Sequence, residues 1–299
     1  MMTRNLRGLI VGFLVLSALP CRAEVRVVDD IGREVVLEKP AISIISLSPH
    51  TTENLFSAGA GDRVVGVVNR SDYPPEAEQI TMVGTHVQFN IELIVSLKPD
   101  LIVAWQSGNP EKVLHQLEEL GFPIYISQPT DFHGIARNIR NLAILAGTEN
   151  NLDPDLETSI QNLEIIQANH QSKAHLRTFY QVWTEPLITL SGKHIVSRSL
   201  GLCGAANIFA DMPMLAPRIS IESIVEINPE VIVTDLVDGR LPDMSYWDTW
   251  NSIQAVRHKN YIFVDPDVMF RPTLRMLKGI PKFCDDLETI RIQDSQRQS

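Results

Sequence analysis

Two stretches of this chain carry nearly the same wording 130 residues apart. Residues 91–103 read IELIVSLKPDLIV and residues 221–233 read IESIVEINPEVIV, with Ile, Glu, Ile, Val, Pro, Ile and Val in register. Each begins as a helical pattern, meets a proline that cannot continue the helix, and ends in a short apolar run that suits a buried strand. Helix–turn–strand units can converge on similar words. Two related α/β lobes account for the match directly, and 299 residues suffice for two domains at about 150 residues each.

The surrounding pattern agrees. Residues 25–37 alternate around Asp30-Ile31-Gly32 and predict a hairpin. Strands are expected at 41–47, 64–68, 101–105 and 124–126, with helices at 52–58, 91–97, 110–120 and 132–146 between them. In the second half the expected strands are 178–183, 231–235 and 261–264, and the expected helices are 199–209, 221–227 and 272–287. Short apolar strands alternating with helices predict parallel sheets covered on both faces. Between the halves, Asp153-Pro154 reads as a helix start, and Leu156, Ile160, Leu163 and Ile166 form a helical stripe. The expected organisation is an N-terminal lobe over 24–150, a connecting segment over 151–175 whose helix, from Asp153 to about His175, is about 33 Å long, and a C-terminal lobe over 176–299. A helical connector makes a rather rigid clamp, and the cleft between lobes is a preferred place for a small ligand.

The first residues set the compartment. Arg4 and Arg7 precede an apolar stretch over 9–19 that ends in Pro20-Cys21-Arg22-Ala23, the layout of a secretory signal cut after Ala23. Cys21 leaves lipid anchoring as an alternative, although Pro20 beside it fits that signal badly. Removal of 1–23 takes away three Arg and no acid, so the net charge moves from −10 to −13. An acidic chain of this kind offers no basic face for nucleic acid. Cys203 and Cys284 then remain. In an oxidising compartment they suggest one disulfide, with two unpaired buried thiols as the alternative.

Signatures of catalysis are weak. Gly59-Ala60-Gly61 follows a helix and precedes a strand, the reverse of a dinucleotide-binding turn. Ser48 and His50 are neighbours without a placed acid, no GxSxG occurs, and His133, His170, His175 and His194 lack ligand spacing. An enzyme is therefore not expected.

Several segments together carry a resemblance: VVDDIGREVVL, ISLSPHTTENLF, SDYPPEA at 71–77, KPDLIVAW at 98–105, LCGAANIF around Cys203, and PTLRMLKGIPKFCDDL past Cys284. They resemble the helical-backbone substrate-binding proteins of ABC importers for cobalamin, ferric siderophores and haem, across residues 25–290 and most closely the cobalamin-binding members. The resemblance implies two Rossmann-like lobes joined by one long backbone helix. It implies a periplasmic receptor with no cofactor of its own, which captures a corrinoid and passes it to a permease with its ATPase. Haem or a ferric siderophore is the alternative ligand, and an exported interaction protein on the same fold the alternative role.

The same resemblance places ligand contacts at Trp105, at Asp267 and Arg271 (a polar pair facing a corrin's amide side chains), and along Val268, Met269 and Phe270 between them. Arg70 stands where those members have tyrosine and His86 where they have tryptophan. His86 is thereby a wall residue or an axial ligand to a metal-bearing ligand. Trp105 has a core reading besides, and Asp267 with Arg271 a structural one. Glu92 and Glu222, the glutamates of the repeat, match residues that dock onto permease arginines. As first-turn carboxylates behind Asn90 and Ser220 they also suit the helix dipole. The family's disulfide maps onto Cys203 and Cys284.

Overall fold

The protein is described from a computed structural model over residues 24–298; the proposed signal segment lies outside the described residues. A hairpin of β1 (Val25–Val28) and β2 (Glu34–Leu37) opens the chain. The N-terminal sheet follows, formed by β3 (Ile44–Ser46), β4 (Val64–Val68), β5 (Met82–Gly84), β6 (Leu101–Trp105) and β7 (Ile124–Ser127). All its strands are parallel in the order β5-β4-β3-β6-β7. Its helices are α1 (Pro49–Ser57), α2 (Ile91–Leu97), α3 (Glu111–Glu119) and α4 (Phe132–Ala146). After α5 (Asp155–His170) comes a second parallel sheet of β8 (Leu176–Gln181), β9 (Ala205–Asn207), β10 (Val231–Asp235) and β11 (Tyr261–Val264), ordered β11-β10-β8-β9. Its helices are α6 (Ile195–Leu202), α7 (Ile221–Ile227), α8 (Gln254–His258), α9 (Pro266–Met269) and α10 (Leu274–Gln298).

The internal repeat is structural. Asn90 and Ser220 cap α2 and α7 through bonds from Leu93 N–H and Ser223 N–H. Lys98 and Asn228 then turn left-handed, at φ 48° and 54°, before the shared proline. The acid after that proline does the same work twice. Asp100 donates its N–H to Ser43 O and accepts Ser43 N–H on its carboxylate, and Glu230 does both with Arg177. Each repeat thus pins β6 beside β3 or β10 beside β8.

One apolar cluster runs through both lobes, including Leu145 and Leu156 on one side and Leu277 and Phe283 on the other. Two more cover the outer faces, around Ile102 in the N-terminal sheet and around Trp247 and Ile232 in the C-terminal one. Cys203 and Cys284 are bonded, with Cα atoms 4.8 Å apart, tying the end of α6 to α10. Among the described residues no helix is long and apolar enough to cross a membrane.

Three expectations need correction. The connecting helix covers only Asp155–His170, about 24 Å, because residues 149–151 form a separate turn and Arg291 draws Ala174 O toward β8. The expected helix at 199–209 ends at Leu202. Gly204 turns left-handed at φ 70° and the next residues enter β9. Conversely, α10 passes Leu287 and runs to Gln298. Its last turns are held by a buried carboxylate, Asp294, bonded to His258, Asn260 and Arg297, which apolar periodicity does not register. α10 packs along α5 and touches α1 and α4, so it braces the lobes alongside the connector.

Candidate functional site

The order of each sheet decides where a ligand can sit. From β3 the chain winds outward through β4 to β5, then returns to β6 on the other side; from β8 it goes to β9, then to β10 on the other side. Such reversals leave a crevice beyond the carboxyl ends of the strands. An inter-lobe cavity of about 350 Å³ lies there. All five N-terminal strands bring a residue at or just past their carboxyl end into its wall: His50, Arg70, His86, Trp105 and Gln128. The opposite lobe supplies Lys193 and His194 after β8, Leu215 after β9, and Asp267, Phe270 and Arg271 after β11. At the low end of ligand-cleft volumes, the enclosed space holds only part of a large ligand, and the rest must lie against the rim.

Six of the residues singled out from sequence line this cavity, namely Arg70, His86, Trp105, Asp267, Phe270 and Arg271. Val268 and Met269 do not. Asp267 and Arg271 are one helical turn apart and share a face, which rotates Val268 and Met269 away from it: Met269 is buried in the core and Val268 lies against Gly279 of α10. Trp105 is half-buried, with His50 edge-on at 5.4 Å. A Cβ on Gly108 would collide with the Trp105 indole, so glycine there lets the ring lie against its own loop. Arg70 is exposed and left-handed at φ 62°.

Arg271 holds the floor. Its guanidinium meets Glu53 Oε1 at 3.0 Å and Asp72 Oδ1 at 2.7 Å, both from the N-terminal lobe, and Asp267 Oδ1 at 2.8 Å from its own. Burial alone would lower its pKa, but the bonds it donates to Asp72 and Glu53 outweigh that and hold it above the ordinary arginine value. Glu53 also receives Arg275, at 2.8 and 2.6 Å, while the Arg275 guanidinium stacks 3.9 Å over Tyr73. Asp267 and Arg271 are therefore both a structural pair and part of the cavity wall, in a network that crosses between lobes.

Two cavity histidines were not singled out from sequence as site residues. His50 has ring nitrogens 3.0 Å from Ser48 Oγ and 3.3 Å from Ser127 Oγ. Burial, helped by the nearby Arg271 charge, pushes its pKa down to about 3. His194 is pushed down to about 4 by burial. A usable signal existed for His50: it follows β3, the strand at the winding reversal. Both histidines stay neutral in the folded state while the unfolded chain takes up protons near 6.5. Their contribution is therefore fully present above pH 6.5 and drains away as pH falls toward 4. Asp235, raised to about 6 by burial, acts oppositely between 3.8 and 6 and cancels about one of the two. The melting temperature is thus expected to fall between pH 7 and pH 5. His50→Asn, which keeps a polar atom toward Ser48, should remove on the order of 2 kcal/mol of that loss. An equal pH slope in wild type and variant, by calorimetry, would contradict this assignment.

Glu92 and Glu222 lie away from the cavity, exposed in the first turns of α2 and α7, and have no ion-pair partner among the described residues.

Comparison with known proteins gives a consistent result. The family model described as periplasmic binding protein matches residues 44–268. The chain is 38% identical over 250 residues to the vitamin B12-binding protein of Vibrio cholerae serotype O1, covering 83% of this chain and 90% of that one. It is 34% identical over 247 residues to the vitamin B12-binding protein of Yersinia pestis, covering 83% and 86%. The solved periplasmic vitamin B12 binding protein of V. cholerae superposes with a TM-score of 0.75 at 37% identity, over 84% of this chain and 98% of that one. The periplasmic haem-binding protein of the same organism shares the fold, with a TM-score of 0.71 at 19% identity over 82% and 98%. The match over most of the chain, in a two-lobed fold with its cavity between the lobes, makes this chain a member of the periplasmic binding protein family.

Proposed function

We propose that the chain is a periplasmic receptor that captures a corrinoid between its lobes and delivers it to an ABC permease and its ATPase. The observation that carries this reading is 38% identity to a vitamin B12-binding protein over 90% of that protein's length. The cavity supports it: aromatic Trp105 and Phe270 offer flat apolar contact, while Arg70, Lys193 and Gln128 offer donors. A corrinoid, a broad macrocycle fringed with amide groups, needs both. The receptor does no chemistry; a braced, preformed cleft limits the ordering cost of binding. Residues 1–23 would direct export and be cut off after Ala23.

Haem is the second reading. It is favoured by His86, which lines the cavity with no hydrogen-bond partner on its ring among the described residues. The two glutamates of the repeat are proposed to meet permease arginines, one per lobe, setting orientation and on-rate.

Calorimetric titration of the mature protein with cyanocobalamin and, separately, haem tests the assignment. Sub-micromolar cyanocobalamin binding is expected. The pair Glu92→Arg and Glu222→Arg should leave that affinity within about twofold while abolishing uptake by vesicles carrying the cognate permease. Haem binding without corrinoid binding, with a Soret shift lost in His86→Ala, would replace the corrinoid reading.

A further inference from the structure

Three imidazoles line the cavity, and their surroundings give them three different capacities. His50 has a serine hydroxyl within reach of each ring nitrogen and nothing left to offer. The His86 ring has no protein partner. His194 is the intermediate case. It caps α6, and its Nδ1 accepts the Val196 N–H at 3.2 Å. An accepting Nδ1 carries no hydrogen, so in the neutral ring the proton sits on Nε2. Phe270 fixes the ring from the side, at 5.3 Å and 61°, and is itself packed on Tyr180 at 5.8 Å. Tyr180 in turn donates to Asp235 at 2.6 Å, so the stack rests on the winding reversal of the C-terminal sheet. No protein acceptor serves Nε2 among the described residues.

Resting on the corrinoid reading, we propose that His194 is a specificity-determining residue whose Nε2–H donates a hydrogen bond to a carboxamide carbonyl on the rim of the corrin, and which does not ligate the cobalt. Ligation at Nε2 would require the proton to move to Nδ1. There it would face the Val196 N–H, donor against donor, and α6 would lose its cap. The assignment selects ligands with acceptor oxygens at their edge.

Two substitutions separate the donor from the cap. In His194→Asn the amide oxygen replaces Nδ1 as cap acceptor, but no donor reaches the Nε2 position. In His194→Gln the amide nitrogen reaches that position and donates. Cyanocobalamin, whose axial site is filled, is expected to bind the Asn variant about three- to tenfold more weakly, the range of one neutral hydrogen bond. The Gln variant is expected to stay within about twofold of wild type, and the Asn variant to keep its melting temperature. Aquocobalamin should retain its water-ligated absorbance on binding to the wild type. Wild-type affinity in the Asn variant overturns the inference and leaves the corrinoid reading standing. An imidazole-type band shift with aquocobalamin, lost in both variants, overturns it in favour of ligation. A wild-type protein that binds no corrinoid removes both together.

Discussion

Glu53→Ala is expected to destabilise the protein by about 3–5 kcal/mol, the usual cost of removing one partner from a buried ion pair. The Glu53 side chain is 2% exposed and receives two guanidiniums, from Arg271 at 11% and Arg275 at 22% exposure. Without it, Arg271 keeps Asp72 and Asp267, whereas among the described residues Arg275 keeps only Tyr73 and the carbonyl of Asp267. The effect should therefore lie at the lower end, a fall of roughly 5–8 °C in melting temperature for a chain of this length. The double change Glu53→Met and Arg275→Met should recover part of it, since an apolar pair costs less than an unpaired buried charge. A melting temperature within 1 °C of wild type for Glu53→Ala would refute the network's role. The same variant loosens the contact between lobes, so ligand affinity should weaken along with stability.

The second large effect concerns the disulfide. Cys203 and Cys284 close a loop of 81 residues, for which chain entropy in the unfolded state gives about 4–5 kcal/mol. Cys203→Ser with Cys284→Ser should lower the melting temperature by several degrees, with native losses of this type falling at about 2–5 kcal/mol. Reductant should lower the wild-type melting temperature by a similar amount and leave the double variant unmoved. Both sulfurs are buried between α6 and α10, so reduction should be slow in the folded state. If the wild type melts identically with and without reductant, the bond does not contribute as argued.

Much of the fold was legible because local physics writes it into short windows. α2, α4, α7, β4, β6, β10 and β11 fall at the expected residues, since each helix has a periodic apolar face behind a capping residue and each strand is a short, largely apolar run. The errors share a cause. β5 and α9 are only three and four residues long, too short to show a period. The end of α10 is held by polar contacts of Asp294 with His258 and Asn260, more than thirty residues away in sequence.

The site divides the same way. The sequence alone determined the two-lobe plan, through the repeat at 91–103 and 221–233, and it pointed to Trp105, Asp267 and Arg271 through a family resemblance. Tertiary structure decided which of those side chains share a cavity. Helical rotation turned Met269 into the core while leaving Phe270 and Arg271 in the wall. It also brought in Glu53, which pairs with Arg271 across 218 residues, and His50 and His194, which no spacing connects. The physical reason is that periodicity and capping act over a few residues, whereas the carboxyl ends of nine parallel strands meet only once both sheets have formed and α5 and α10 hold them face to face.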